Sequence, residues 1–514
     1  MKSLSNFLSL RKNFDALLFA YAGWYTTYIF TRHGGIGLSP DSIVYIITAK
    51  NLFTKGAITA CSAAPMTDFP AFYPIFLSSI IFITRQAPVV FGPMLNGLLF
   101  ASVIYLSGCI IQRFLTPSRI YKNIILLCML CSPTLIEVYN MLWSETLFIF
   151  LLLLFFISFK YYLQSYRLLP LLITSLIAAM ACDTRYAGIT ILGTGGMILL
   201  FDKRLQWKKK TIHIGIFLLI GISFLAINII RNNIEGGFLT GRREKGITPL
   251  MVNIKYYGSV LCDWLPFFNG NYVLAATVAI IVFIIAWIFF IKHFFDKTVY
   301  SSFENIGVCY FITYSVFIIA SATITHYETL NSRLLSPMYI PFLWTVTYPL
   351  ATFIERRKRF IKWTLLTASI VLAYFFVNNE ILQSQDLYED ASENGIPGFT
   401  DDSWKNSPID IYLSTHKNIF GQPAVLYSNS IEAVCFYSGN NCNALPHYVF
   451  KEEIDEYHDE SPHYLIWFNN IDDNGLFHLP EISKCKKMTL LKSFPDGAIY
   501  WCENNKDAGN ITAK

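Results

Sequence analysis

The chain has 514 residues and a net charge of +5, and it is 54% hydrophobic and 16% aromatic, with a mean hydropathy of +0.43. That apolar content is too high for a soluble enzyme of this length and points to many membrane spans. Basic residues flank apolar runs instead of interleaving with aromatics, so they read as topology signals and not as a nucleic-acid face.

Lys2, Arg11 and Lys12 precede the first apolar run, Phe14 to Phe30, and no small-residue cleavage site follows. This predicts a retained first span with the N-terminus in the cytoplasm. Residues 31–88 then form the first outer loop. Within it, Ser39-Pro40-Asp41-Ser42 through Gly56 reads as a short helix. Ser39 is the N-cap, Pro40 occupies the first helical position, and Gly56 closes it. Asp41 falls in the first turn, where free N–H groups and the helix dipole favour a charged carboxylate. It can serve as a base at the membrane surface, or only cap its own helix. The run at 72–84 is too short to span and reads as interfacial or re-entrant.

Further spans are expected at 89–111, 124–139, 146–162, 168–182, 186–201, 212–230, 272–291, 306–325, 334–354 and 360–377, about eleven in all. Lys203, Arg204, Lys208, Lys209 and Lys210, and later Arg356, Arg357, Lys358 and Arg359, fall on the predicted inner side. Lys297 also falls inside, just beyond the span that begins at Tyr272. Residues 231–271 form a long outer loop with Gly236, Gly237, Gly241 and the basic group Arg242, Arg243 and Lys245.

After residue 378 the composition turns polar. Short β-like runs at 424–428, 463–468, 488–492 and 498–501 alternate with helix-like runs at 431–437 and 451–458. This predicts a small extracytoplasmic α/β domain over 379–514, following a transmembrane domain over 1–378. Cys435, Cys442, Cys485 and Cys502 suit two disulfides, nearest neighbours being the simplest pairing, or free buried thiols. Asn510-Ile511-Thr512 is an N-glycosylation acceptor pattern and leaves a eukaryotic lumen open. The sequence has no metal-ligand spacing of His or Cys, no phosphate-cradling Gly loop and no internal repeat.

Polar residues expected to face outward collect at span ends. They are Asp41, Lys50 and Asp68, then Glu137 and Glu145, then Asp183 and Arg185. Arg231, Arg242, Arg243 and Lys245 follow, and then His326, Glu328 and Arg333. A carboxylate here can deprotonate a hydroxyl while Arg and Lys hold a lipid phosphate as leaving group. Arg333 is the better phosphate ligand because its planar fork binds two oxygens at once. Most of the others suit interface anchoring or mutual pairing equally well, and Asp183 with Arg185 could be a simple salt bridge.

Several landmarks together resemble a known family. They are Ser39-Pro40-Asp41-Ser42 with Tyr45, Ala49, Asn51, Leu52 and Gly56; Phe69-Pro70-Ala71-Phe72-Tyr73-Pro74; Ser144-Glu145-Thr146; Thr184-Arg185-Tyr186-Ala187-Gly188; and Arg333-Leu334-Leu335-Ser336-Pro337. The chain resembles polytopic GT-C glycosyltransferases of the protein O-mannosyltransferase and lipid A aminoarabinose-transferase type. Trp404, Asn406-Ser407-Pro408, Tyr427-Ser428-Asn429 and Asp496-Gly497-Ala498-Ile499-Tyr500 resemble the terminal domains of bacterial members. The resemblance implies an inverting transferase at the outer face of a bacterial inner membrane. Its donor would be a polyprenyl-phosphate sugar and its acceptor a hydroxyl of a glycan, lipid or protein.

Asp41 would then be the general base. Arg333, Arg185, Arg242, Arg243 and Lys245 would bind the donor phosphate, and Tyr45, Lys50, Tyr73 and His326 would position donor or acceptor. Many relatives carry two adjacent acids, whereas Ser42 follows Asp41 here. Asp68 and Glu145 are the nearest substitutes for a second acid, and a need for divalent Mg or Mn stays open. A transporter or flippase of polyprenyl-linked sugars is the alternative. It would need charges midway along several spans, whereas these sit at span ends.

Overall fold

The computed structural model describes Phe7, Ser9 and residues 12–265, 273–296, 299–326, 328–421, 425–460 and 462–504. Lys2, Arg11, Tyr272, Lys297 and the 510–512 acceptor pattern lie outside the described residues.

By its contacts the chain divides into two compact units. The first comprises Met1–Ile36, Thr67–Tyr73 and Val89–Glu393, and the second Gly37–Met66, Pro74–Pro88 and Asn394–Lys514. The sequence boundary at 378/379 counts the whole first outer loop with the spans. In the structure, residues 37–66 and 74–88 cluster with the terminal domain instead.

The first unit is helical. Among the described residues, six helices are long and apolar enough to cross a membrane: Pro88–Ile111, Ser144–Ser165, Trp207–Gly236, Ala275–Phe295, Phe303–Ile324 and Arg359–Asn394. A seventh crossing arises if Arg119–Cys131 and Pro133–Asn140, bent by 52°, are taken together. The break has a local cause. Pro133 lacks an N–H for the preceding turn, and Ser132 before it is extended, with φ −68° and ψ 118°. Part of the difference from eleven is length. Phe14–Phe30, Leu168–Thr184 and Tyr339–Glu355 have 17 residues each. At a rise of about 1.5 Å per residue they fall a little short of a hydrocarbon core of about 30 Å.

Ser144–Ser165 is the innermost crossing helix, with 72% of its apolar window buried, against 11% for Arg359–Asn394. Its residues are apolar on every face, as a helix surrounded by other helices requires. Its first turn carries Glu145, which is fully buried.

The second unit contains a five-stranded sheet in the order β2-β1-β3-β5-β4. The strands are β1 (Leu426–Ser428), β2 (Asn443–Ala444), β3 (His463–Phe468), β4 (Lys486–Phe494) and β5 (Gly497–Asn504). β1 runs parallel to both β2 and β3, while β5 is antiparallel to β3 and β4. The helix Ile431–Ser438 makes the crossover from β1 to β2, as a parallel pair demands. Tyr427, Tyr457, Leu465, Trp467 and Ile482 form the centre of the core on one sheet face.

The loop segment 37–66 is tied into this unit by its main chain. Phe399 N–H donates to the Leu38 carbonyl at 2.9 Å, and Cys442 N–H to the Cys61 carbonyl at 3.2 Å. Gly398 makes the first contact possible. Its φ is +123°, and a Cβ there would lie 2.2 Å from the Leu38 oxygen. All eleven cysteines are free thiols.

Candidate active site

In the first unit two guanidiniums converge on one carboxylate. Arg185 follows the helix Leu168–Thr184 as its C-cap and reaches Glu145 Oε1 through Nη1 at 2.7 Å. Arg333 lies in the short helix Ser332–Leu335, capped by Asn331, and reaches the same oxygen through Nε at 2.9 Å. Arg185 Nη1 also donates to Ser144 Oγ at 3.0 Å. The Arg333 guanidinium stacks over the Trp143 ring at 4.1 Å and approaches Glu328 at 3.7 Å. Glu145 is completely buried while both arginines keep a partly exposed edge, 16% and 13% of their side chains. Glu328 makes a second carboxylate beside the two guanidiniums, so the partly exposed guanidinium edges, and not an excess of positive charge, are what the cluster offers an anion.

The pairing expected of Asp183 and Arg185 comes out differently. Arg185 turns to Glu145, while Asp183 accepts a hydrogen bond from the Ala71 backbone and feels Arg231. Asp68 lies beneath the glycine-rich outer loop. A Cβ on Gly241, whose φ is +74°, would fall 1.8 Å from Asp68 Oδ1. Burial pushes the Asp68 carboxyl above its ordinary range, and the nearby Arg243 opposes that shift. Arg243 itself holds main chain, donating to the carbonyls of Asp68 and Thr240 at 2.9 Å each. Tyr186 and Asn232 both donate to the Thr67 carbonyl at 3.2 Å.

Arg242 lies over Phe238, and Lys245 is exposed and bridges to Thr325. His326 donates its backbone N–H to the Glu244 carbonyl at 3.0 Å, and Tyr73 is fully buried. The structure thus draws Glu145, Arg185 and Arg333 into one cluster. Asp68 and Arg243 meet in another, within the same unit.

Two cavities open in this unit. An apolar groove of about 350 Å³ is lined by Tyr121, Ile125, Leu343, Leu372 and Phe376 and reaches Trp264. A polar cavity of about 200 Å³ lies on Trp264 as well, with Glu137, Asp263, Ser332, Glu380 and Gln383. The acids make the second cavity unsuited to a phosphate.

Asp41 belongs to the second unit. Its helix, Pro40–Lys55, begins and ends as the sequence predicts, with Ser39 as N-cap, Pro40 first and Gly56 closing at φ +69°. Ser39 N–H donates to Ser42 Oγ at 3.1 Å. Ser42 therefore closes the capping box. Asp41 is half-buried in the first turn, Tyr45 is buried and Lys50 is exposed.

The helix Ile431–Ser438 packs against this one and carries Glu432 in its own first turn. Burial pushes the Glu432 carboxyl up, and Asp41 is the neighbouring charge that pushes it further. Sequence reasoning missed Glu432. Its only local signal is a Ser430 cap with an acid two residues on, which many helices share. Among the described residues no group of three His, Cys, Asp or Glu side chains is placed to hold a metal ion.

No protein-family model matches the chain, and no curated protein matches it by sequence. Solved structures do match its fold. ArnT from Cupriavidus metallidurans, in a crystal structure bound to undecaprenyl phosphate, aligns with a TM-score of 0.58 and 10% identity over 96% of this chain and 98% of its own. The oligosaccharyltransferase AglB from Archaeoglobus fulgidus, solved with an inhibitory peptide and a dolichol-phosphate, aligns with a TM-score of 0.54 and 11% identity. That alignment covers 97% of this chain and 75% of AglB. The chain has the GT-C fold. It is a multi-pass helical membrane architecture with a small terminal sheet domain, as the motifs led us to expect.

Proposed function

We propose that the protein is an inverting glycosyltransferase that takes its sugar from a polyprenyl-phosphate donor. The acceptor is a hydroxyl of a glycan, lipid or protein at the outer face of a bacterial inner membrane. The N-terminus is cytoplasmic and the terminal domain extracytoplasmic. The observation that carries this reading is the convergence of the partly exposed Arg185 and Arg333 on the buried Glu145, in a fold shared with a protein solved with undecaprenyl phosphate bound.

In this reading the acceptor oxygen attacks the anomeric carbon as the bond to the phosphate oxygen breaks. Polyprenyl phosphate departs with the bonding electrons, and Arg185 and Arg333 stabilise the charge that develops on it. Glu145 keeps the two guanidiniums aligned and limits their mutual repulsion. The isoprenoid tail suits the apolar groove beside Leu343 and Phe376.

Asp41 takes the hydroxyl proton, and Glu432 lies beside it on the packed helix. Asp41 and Glu432 are two carboxylates, fewer ligands than a divalent metal centre usually takes. Arg242, Arg243 and Lys245 belong to the loop that covers Asp68, so their part is to hold that loop.

The test is mass spectrometry of glycans and glycolipids from cells with and without the gene, complemented by Arg333→Ala. Loss of one sugar from one glycoconjugate in both strains is expected. An unchanged glycome in the deletion strain would overturn this reading, and sugar movement across liposomes without transfer would replace it with a transporter.

A further inference from the structure

Three cysteines of the second unit meet at one carbonyl. Cys61 sits at the tip of the hairpin that follows the Asp41 helix, where Ala60 N–H bonds the Ala64 carbonyl at 2.9 Å and Met66 N–H the Ile58 carbonyl at 3.1 Å. Cys435 lies in the helix Ile431–Ser438, one turn after Glu432, and Cys442 immediately precedes β2. The Cys61 carbonyl accepts the Cys435 thiol at 3.5 Å and the Cys442 N–H at 3.2 Å. The Cys61 and Cys435 thiols also hydrogen-bond each other. All three residues are buried, at 1%, 6% and 1% exposure. The Cys442 thiol instead donates to the Asn443 carbonyl at 3.6 Å.

We propose that Cys61 and Cys435 form a disulfide in the mature protein, which fixes the hairpin behind the Asp41 helix to the terminal domain and leaves Cys442 a thiol. The proposal rests on the extracytoplasmic placement of this unit, where disulfides persist. It differs from the nearest-neighbour pairing suggested by the sequence, because Cys435 turns toward Cys61.

The bond forms by thiol–disulfide exchange with a disulfide-bearing oxidant of that compartment. One cysteine thiolate attacks the oxidant's disulfide, gives a mixed disulfide and releases one oxidant thiol. The second cysteine thiolate attacks the sulfur of the first, closes Cys61–Cys435 and releases the other thiol. Two cysteine thiols are oxidised and one oxidant disulfide is reduced. The hydrogen bond to Cys435, with burial, pushes the Cys61 thiol up in the folded unit. A protonated, buried thiol exchanges slowly. Oxidation therefore belongs to folding, before the hairpin is covered, and the finished bond is shielded from reductants.

The experiment uses the full chain, purified without reductant, alkylated and digested for peptide mass spectrometry. A peptide joining Cys61 to Cys435 is expected. The link should vanish in Cys61→Ser and Cys435→Ser and persist in Cys442→Ser. In parallel, Thr415→Cys, at an exposed position, is labelled with an impermeant maleimide on intact cells.

If that position labels from outside while Cys61 and Cys435 are both alkylated, the disulfide is refuted and the topology stands. A Cys61–Cys442 or Cys435–Cys442 link also refutes it. If Thr415→Cys is shielded in intact cells, the topology fails. The purified protein is then refolded with oxidised glutathione, where a Cys61–Cys435 link supports the pairing and its absence overturns it.

Discussion

At Glu145 one carboxylate is clasped by two guanidiniums, at 2.7 and 2.9 Å, with no part of it exposed. At Asp41 and Glu432 two carboxylates open two packed helices, and burial, with Asp41 as the neighbouring charge, makes ionisation of Glu432 harder. The first arrangement keeps its charges fixed, because every charge has an opposite partner within hydrogen-bond reach. The second leaves a proton in play, because burial first, and then the Asp41 charge, push the Glu432 carboxyl toward protonation. Fixed charge suits holding an anion; an exchangeable proton suits base chemistry. These three acids therefore sit in two kinds of environment, one beside fixed cations and one where two carboxyls lie together.

The largest expected effect breaks the second arrangement. Asp41→Asn keeps the helix cap, since Asn also suits a first turn, and removes the base. Transfer should fall by about 10² to 10⁴-fold with thermal stability unchanged. Turnover within a few-fold of wild type would end the assignment of Asp41. Glu432→Gln sharpens the same contrast. It should cost far less activity than Asp41→Asn, because Glu432 is not the group that takes the proton; an equal loss of turnover would make Glu432 the base.

Breaking the first arrangement should look different. Glu145→Gln leaves two guanidiniums facing each other around a neutral amide. Removing one partner of a buried pair costs about 3–5 kcal/mol. We expect a clear loss of stability in detergent, with activity lost in proportion to folded protein. A Glu145→Gln protein that is fully stable yet inactive would move Glu145 into the proton-handling class.

Legibility in the sequence followed the range of the interactions. The Asp41 helix was readable to the residue, because Ser39, Pro40 and Gly56 act within a turn of their own positions. The strands β1, β3, β4 and β5 were also readable, as short β-branched and aromatic runs between polar turns. β2, two residues long, was not, since its pairing with β1 is set by the crossover and not by its own residues.

Each of the expected spans coincides with a helix or with helices joined at a break, and the ends of the helices were less legible than their existence. Pro133 breaks one apolar run into two helices, and other runs stop at 17 residues or fewer. Arg333 and Arg185 were identified singly, but their meeting at Glu145 spans 148 residues of chain between the arginines (333 − 185) and has no local signature. Glu432 was invisible for the same reason: its relation to Asp41 exists only once two helices, distant in sequence, pack together.

A third contrast concerns pH and involves only the terminal domain. Asp410, in the first turn of the helix Pro408–Thr415, is 1% exposed. Burial first, and then Asp496, push its carboxyl up to about 7, while Ser407 opposes the shift. A carboxyl raised on folding binds its proton more tightly in the native state than in the unfolded one. Its stabilising contribution is full below the unfolded value near 3.8 and is lost as pH rises toward about 7. The swing has an upper bound of about 4 kcal/mol. Asp410→Asn should flatten the decline in stability between about pH 4 and pH 7 and raise stability at neutral pH. A wild-type melting temperature that does not change across that window would remove Asp410 from the account.

The smallest effects come from two glycines, one in each unit, that each allow a close approach. Gly241 in the first unit has φ +74° and Gly398 in the second has φ +123°, and a methyl group at either would meet Asp68 or the Leu38 carbonyl. The left-handed backbone alone costs an L-residue about 1–2 kcal/mol. Gly241→Ala should therefore loosen the cover over Asp68, read as faster hydrogen exchange at 67–73 and 237–246. Gly398→Ala should loosen the start of the Asp41 helix, read as faster exchange at 38–43. If Asp41 carries the proton and Asp68 only seats a loop, the second variant should lose more turnover than the first at equal loss of stability. The reverse order would make Asp68 the working acid, and Asp41 would revert to a helix cap.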